Sequence, residues 1–171
     1  KNYNLKKDVT VHLPVRVNWG GGWSDTPPYC MEHGGTVLNV AISLNGQMPI
    51  EVTIKRLDRP VIALASTDIG SYKEFTDMEE LRECRNPSDA FALHKAALIA
   101  CGVIPVSEAV SVEELCGRLG SGIYMNTRVI DIPKGSGLGI SSILAGACVK
   151  ALFEAMDTVI SDAEVFERVL C

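Results

Sequence analysis

Residues 122–156, GIYMNTRVIDIPKGSGLGISSILAGACVKALFEAM, carry the pattern that decides the fold. The β-branched and aromatic residues of 122–132 predict a strand, and the alanine- and leucine-rich residues 143–156 predict a helix. A glycine-rich loop joins them. Such a loop leaves backbone N–H groups uncovered at the positive end of a helix, so this segment predicts an anion-binding site.

The loop does not match the two common phosphate-binding motifs. GxxxxGK[ST] is absent, and GxGxxG fails because Ile140 stands where its last glycine should be. The hydroxyls of Ser136, Ser141 and Ser142 and the charge of Lys134 would supplement the backbone N–H groups. The structural alternative is a mobile loop followed by a capped core helix.

A second glycine-rich segment, PVRVNWGGGWSDTPPYCMEHGG, covers residues 14–35. Trp23 offers a flat apolar face that suits a sugar ring, and Asp25 can accept hydrogen bonds from vicinal hydroxyls. Arg16 could pair with a carboxylate or a phosphate, and the glycines would allow a ligand to approach the backbone. Each residue also has a structural interpretation: Trp23 in the core, Asp25 capping a turn, and Arg16 in a surface ion pair.

The remaining pattern predicts one α+β domain with a mixed β-sheet. Residues 71–89 are interpreted as a polar stretch with one short helix, and residues 20–30 as irregular. Two capping boxes are predicted. One begins at Ser111, before the helix at 112–120, and the other at Ser161, at the start of the helix over 161–171. Strands are predicted over 9–19, 35–44, 50–57 and 61–66, and helices over 90–102, 112–120 and 161–171.

Composition excludes several classes of partner. The net charge is −5, and no basic stripe is present, which argues against nucleic acid and anionic membranes. No apolar run is long enough to span a bilayer. The six cysteines form no CxxC pair, so we expect free or buried reduced thiols, no structural zinc and a cytoplasmic protein.

Together, the two glycine-rich segments resemble the GHMP small-molecule kinases. PKGSGLGISSIL is similar to the ATP-phosphate loop of that superfamily, and PVRVNWGGGWSDTPPY to its first motif. GGGWSDTPPYC, EHGGTVLNVAI and GSGLGISSILAG are most similar to its L-fucokinase branch. The heptose-phosphate kinases usually lack the tryptophan, so Trp23 favours fucose. The resemblance implies a fold like that of ribosomal protein S5 domain 2.

The resemblance also implies roles for individual residues. Arg16 would act in catalysis near the reacting hydroxyl, and Ser141 would help to hold Mg²⁺. Asp25 would bind sugar hydroxyls, with Gly21, Gly22 and Trp23 beside it. The residues expected to bind ATP are Lys134, Gly135, Ser136, Gly137, Leu138, Gly139, Ile140, Ser141 and Ser142.

The family's catalytic aspartate, its magnesium-binding glutamate and its C-terminal domain lie in later segments. The resemblance therefore implies that residues 1–171 form a truncated N-terminal domain, inactive alone and prone to self-association. The full-length protein would transfer a phosphoryl group from ATP to the anomeric hydroxyl of L-fucose, giving fucose 1-phosphate. The alternatives are a heptose-phosphate kinase and a non-catalytic module that binds sugar or nucleotide.

Overall fold

The part of the chain that the structure describes forms a five-stranded sheet, a separate two-stranded ribbon and six helices. The structure is a computed structural model, and it describes residues 4–133, 136 and 138–170. The strands are β1 (Val9–Leu13), β2 (Val15–Gly20), β3 (Leu38–Ile42), β4 (Ile50–Leu57), β5 (Ile62–Ser66), β6 (Ser71–Phe75) and β7 (Gly122–Val129). The helices are α1 (Tyr29–His33), α2 (Met78–Arg82), α3 (Ala92–Ala100), α4 (Val112–Leu119), α5 (Ile140–Ala155) and α6 (Asp162–Leu170).

The main sheet is mixed, which confirms the predicted α+β class. Its strand order is β1-β4-β7-β5-β6. Strands β5 and β7 are parallel, whereas the other neighbouring pairs are antiparallel. Because β7 lies in the middle of the sheet, the loop that follows it emerges from a rigid position.

One predicted strand, residues 9–19, is wrong as a single element. Pro14 separates it into β1, which pairs with β4, and β2, which pairs with β3 in the ribbon. A proline has no N–H to donate to a strand ladder, so it favours a break at this position. The chain leaves the main sheet here, although Val15 is still buried.

Strand β6 was not predicted, because its sequence SYKEF is mostly polar. It is an edge strand in which Tyr72 and Lys73 are exposed, Ser71 and Glu74 are half-buried, and Phe75 is buried. Glu74 pairs with Arg59 and accepts a hydrogen bond from the Tyr72 hydroxyl at 2.5 Å. The short helix α1 was also missed, within a segment whose glycines and prolines argue against regular structure.

Helix α5 packs on the main sheet and against α3 and α6. It begins at Ile140, three residues earlier than predicted, because the glycine-rich loop ends in a helical turn. Its small buried residues allow a close approach to the sheet. The buried members are Ala147, Cys148, Val149, Ala151, Leu152, Phe153 and Ala155.

The caps predicted at Ser111 and Ser161 are present. Ser161 and Glu164 form a reciprocal capping box: the Glu164 N–H donates to Ser161 Oγ at 3.3 Å, and the Ser161 N–H donates to Glu164 Oε2 at 2.9 Å. Ser111 caps α4 by accepting from the Glu114 N–H at 3.1 Å. These contacts explain why both short helices begin where the sequence indicates.

The thiols behave as apolar side chains in the described part of the chain. Cys101, Cys116 and Cys148 are buried and unbonded, and Cys30 and Cys84 are half-buried free thiols. Burial raises the pKa of Cys101 to about 12 and that of Cys116 to about 11. Such thiols stay protonated at neutral pH and are poor nucleophiles.

A buried histidine joins α3 to the sheet. The ring atom Nε2 of His94 lies 2.9 Å from the Ala65 carbonyl oxygen and 3.0 Å from Thr127 Oγ1. Atom Nδ1 is buried without a hydrogen-bond partner among the described residues. Desolvation lowers the pKa of His94 below its ordinary value, so the folded protein holds this ring neutral.

We predict that His94 makes the protein less stable as the pH falls. The unfolded chain binds a proton near the ordinary pKa of 6.5, whereas the folded chain resists it. The free energy of unfolding should therefore be largest above that pH and decrease below it. Urea unfolding between pH 7.5 and pH 5 should show a smaller decrease in His94→Gln than in the wild type. An unchanged slope in His94→Gln would contradict the prediction.

Candidate functional site

The start of α5 is an uncovered helix N-terminus. Gly139 precedes the helix with φ of +66°, and no side chain of residues 4–133, 136 or 138–170 caps the first backbone N–H groups. Ser141 and Ser142 lie in the first turn and are exposed. A helix N-terminus carries about half a positive charge, so these N–H groups and hydroxyls are available to an anion.

The structure places part of the predicted phosphate loop. Lys134, Gly135 and Gly137 lie outside the described residues, so their predicted role stays a prediction. Ser136 is exposed, and its N–H donates to the Pro133 carbonyl at 3.3 Å.

The side chain of Ile140 packs against the core, which leaves its backbone for any ligand contact. Leu138 and Gly139 line a cavity that they share with the first glycine-rich segment. The predicted loop thus divides into residues that pack and residues that face open space.

A serine that sequence reasoning missed holds the first glycine-rich segment in place. Ser24 Oγ lies 2.6 Å from the Gly21 carbonyl oxygen and 2.9 Å from the Thr36 carbonyl oxygen. It also accepts a hydrogen bond from the Thr36 N–H at 3.1 Å. This hydroxyl therefore ties the loop after β2 to the segment that leads into β3.

The glycines of this loop leave room for the chain itself. Gly21 has φ of +75°, and a Cβ there would lie 1.9 Å from the Thr36 carbonyl oxygen. A Cβ on Gly22 would lie 2.6 Å from Asn18 Nδ2. In the structure, the atoms that come close to Gly21 and Gly22 thus belong to other residues of the chain. The predicted approach of a ligand to these two glycines stays a prediction.

The structural interpretations of the other three candidates do not hold among the described residues. Trp23 is 82% exposed and has φ of +70°, so it is not a core residue. The side chain of Asp25 accepts no hydrogen bond that would cap a turn, and Arg16 has no acidic partner. A tryptophan held in the left-handed region is a strained feature of the kind that clusters at functional sites.

One cavity brings the two glycine-rich segments together. Its volume is about 530 Å³. Its floor includes the β2–β3 ribbon, and its wall includes the start of α5. The polar and aromatic residues that line it are Arg16, Asn18, Trp23, Asp25, Thr26 and Asn39. Gly22 of the first segment and Leu138 and Gly139 of the second also line it.

Arg16 spans this contact. A Cβ on Gly139 would lie 3.7 Å from Arg16 Nη2, so the guanidinium rests against the residue that precedes α5. The cross-strand neighbour of Arg16 is Ala41, whose small side chain leaves space for the arginine. Two positive groups, the guanidinium and the helix N-terminus, are thereby held together, which is unfavourable until an anion lies between them.

A second cavity lies at the other end of β7, where Gly122 begins that strand. Its volume is about 950 Å³. Its two arginines are already paired, Arg56 with Asp8 at 3.3 Å and Arg59 with Glu74. The smaller cavity is therefore the better anion site, because its arginine is unpaired among the described residues.

Comparison with known proteins shows what the chain is similar to. Residues 98–170 match the GHMP kinases N terminal domain. The chain is 39% identical over 160 residues to the L-fucokinase/L-fucose-1-P guanylyltransferase of Bacteroides fragilis, an alignment that covers 92% of the chain and 17% of that protein. It is 27% identical over 159 residues to the D-glycero-alpha-D-manno-heptose 7-phosphate kinase of Campylobacter jejuni, covering 93% of the chain and 41% of that protein.

Solved structures show the same fold. Mevalonate kinase from Methanococcus jannaschii superimposes with a TM-score of 0.69 at 17% identity, over 95% of this chain and 45% of that one. The family match and the alignment over 92% of the chain identify the chain as a GHMP kinase N-terminal domain. It spans less than half the length of each of these relatives.

Residues 4–133, 136 and 138–170 contain neither a metal-ligand cluster nor a membrane-spanning helix. No group of three or more histidine, cysteine, aspartate or glutamate side chains there could hold a metal ion. No helix in those ranges combines the length and the apolar character needed to cross a bilayer. The expectations about nucleic acid, self-association and cellular location stay predictions.

We predict that Gly21→Ala destabilises the protein more than Gly46→Ala. Both glycines have φ of +75°, so the backbone strain of the substitution is matched. Only at Gly21 does the added Cβ meet another atom, the Thr36 carbonyl oxygen. This clash should lower the free energy of unfolding by about 1–3 kcal/mol more than the change at Gly46. Urea unfolding measures the difference, and equal losses would show that this loop yields to the extra methyl.

Proposed function

We propose that this chain provides the nucleotide-phosphate site and the acceptor site of an ATP-dependent sugar kinase that forms L-fucose 1-phosphate. The observation that supports it best is the position of Arg16, which rests against Gly139 at the start of α5 and has no acidic partner in the described ranges. Asp25 and Trp23 line the same cavity. An anion site and a site suited to a polyhydroxy ring thus lie next to each other.

The phosphate groups of ATP would lie at the start of α5. The backbone N–H groups there, together with the hydroxyls of Ser141 and Ser142, would donate to the phosphate oxygens. Arg16 would lie on the side of the γ-phosphate that faces the acceptor. Phosphoryl transfer depends mainly on positioning and on neutralising negative charge, and both are available from these groups.

The donor set at α5 fits a magnesium ion that is bound mainly through the nucleotide. Mg²⁺ takes oxygen ligands and usually keeps several waters and substrate phosphates in its shell. The exposed Ser141 hydroxyl, in the first turn of α5, would be the ligand from this chain. When bound, the ion would neutralise charge on the phosphate oxygens.

The acceptor sugar would be held by Trp23 and Asp25. The exposed indole of Trp23 would offer an apolar face to the C–H face of the ring, and the Asp25 carboxylate would accept from vicinal hydroxyls. Neither residue activates the reacting hydroxyl in this proposal. That step would need an aspartate outside residues 1–171, so we propose that the activity belongs to a longer protein and not to this chain alone.

The choice of L-fucose rests on similarity and on charge. The relative at 39% identity is named as an L-fucokinase, whereas the heptose 7-phosphate kinase is at 27%. Arg16 is the one cationic side chain among the described residues that line the cavity. If Arg16 binds a phosphate of ATP, no other cationic side chain among the described lining residues remains to bind a phosphate on the acceptor. This favours a neutral sugar over a heptose phosphate.

We predict that Arg16→Gln in the full-length protein lowers kcat/KM with ATP and L-fucose by about 100-fold. Loss of one preorganised charge on the transferred group typically has an effect of this size. Arg16→Lys should recover part of the loss, because the charge returns without the planar fork. The exposed Arg85→Gln variant, outside the cavity, is the control and should match the wild type.

Three outcomes would revise the proposal. Equal activity in Arg16→Gln and Arg85→Gln would remove Arg16 from the mechanism. Turnover with D-glycero-D-manno-heptose 7-phosphate but not with L-fucose would leave a GHMP kinase with a different acceptor. Binding of ATP or sugar without turnover in the full-length protein would indicate a non-catalytic binding module.

A further inference from the structure

Two asparagines that the sequence analysis did not single out face the cavity from the floor. The antiparallel register of β2 and β3 places Asn18 directly opposite Asn39. Both residues line the cavity, and both are exposed. A cross-strand pair of this kind brings its two Cβ atoms to about 5 Å, so the two amides form one polar patch.

The ribbon has two different faces. Side chains alternate along a strand, so Arg16 and Asn18 share one face with Asn39 and Ala41, which lie opposite them. The other face carries Val17 opposite Val40, both partly buried. The amide pair thus belongs to the polar face, in line with the arginine at the phosphate site.

The two amides have no hydrogen-bond partner among the described residues. The position of Asn18 is nevertheless defined, because its Nδ2 atom occupies the space that a Cβ on Gly22 would need. Gly22 is therefore the residue that allows the Asn18 amide to stand at the cavity floor. The pair is a built feature of the loop and the ribbon, and its hydrogen-bonding groups are free for a ligand.

We propose that Asn39, paired with Asn18, is a specificity-determining residue that binds a ring hydroxyl of the acceptor sugar. A carboxamide both donates and accepts, and so does a hydroxyl, whereas a phosphate or carboxylate offers only acceptors. A neutral amide pair next to a single arginine therefore selects an uncharged hydroxyl at this position. The inference rests on the proposed sugar kinase function, since it names contacts to that acceptor.

The test uses the full-length protein and steady-state kinetics with L-fucose and ATP. Asn39→Leu keeps the approximate shape of the side chain and removes both hydrogen-bonding groups. We expect KM for L-fucose to rise about tenfold, with KM for ATP within twofold of the wild type. Ser43→Ala, an exposed substitution just after β3 and outside the cavity, is the control and should leave both constants unchanged.

Sugar analogues separate a contact from a general structural effect. Each analogue of L-fucose lacks one ring hydroxyl, and the wild type should lose affinity for the analogue that lacks the hydroxyl bound by Asn39. Asn39→Leu should show no further loss with that analogue and normal losses with the others. Equal additional losses with every analogue, or an unchanged KM for L-fucose, would overturn the assignment.

The two proposals fail in different ways. If the wild type does not phosphorylate L-fucose at all, the proposed function has failed and Asn39 loses its assigned ligand. If the wild type is active and Asn39→Leu behaves like Ser43→Ala, the proposed function stands and the role of Asn39 is wrong. Circular dichroism and the melting temperature of Asn39→Leu show whether any change reflects unfolding.

Discussion

The contact between the Arg16 guanidinium and Gly139 joins the two halves of the site. It requires β2 to lie away from the main sheet, which the break at Pro14 makes possible. The residue before α5 is Gly139, whose φ of +66° is a conformation that favours glycine. The strand that carries the arginine and the helix that offers its N-terminus thus meet at a place where no ion pair within the described part of the chain neutralises the arginine. An anion is the natural complement of that arrangement.

The first glycine-rich loop is shaped by the same requirement for close approach. Gly21 and Gly22 admit the Thr36 carbonyl and the Asn18 amide, and Ser24 ties the loop down with its hydroxyl. Trp23, between them, is left exposed in a strained backbone conformation. The ordered neighbours stabilise this geometry, and the strained aromatic is presented to the cavity instead of the core.

Much of the fold was predictable because local signals agreed with the tertiary structure. The strand at 50–57, the helix that ends near Gly102, and the capping serines Ser111 and Ser161 all follow from period and cap chemistry. The break at Pro14 was missed because the alternation continues on both sides of it. Strand β6 was missed because it is an edge strand with polar side chains.

The site was less predictable than the fold. The candidates came from glycine-rich motifs and a family resemblance, and the structure brings Arg16, Trp23 and Asp25 into one cavity with Gly139. The anchoring contact of Ser24 and the proposed role of Asn39 were not predictable, because they depend on partners at other positions, Thr36 and Asn18. Cross-strand register and loop anchoring depend on tertiary contacts between residues far apart in the sequence, and a local sequence pattern does not predict them.

The most direct measurement is a crystal structure of the full-length protein with a non-hydrolysable ATP analogue and Mg²⁺. We expect the β- and γ-phosphates at the N-terminus of α5, within hydrogen-bond distance of its first backbone N–H groups. We also expect the Arg16 guanidinium to contact a γ-phosphate oxygen. Phosphates bound elsewhere, with Arg16 still resting on Gly139 and touching no anion, would contradict the central claim.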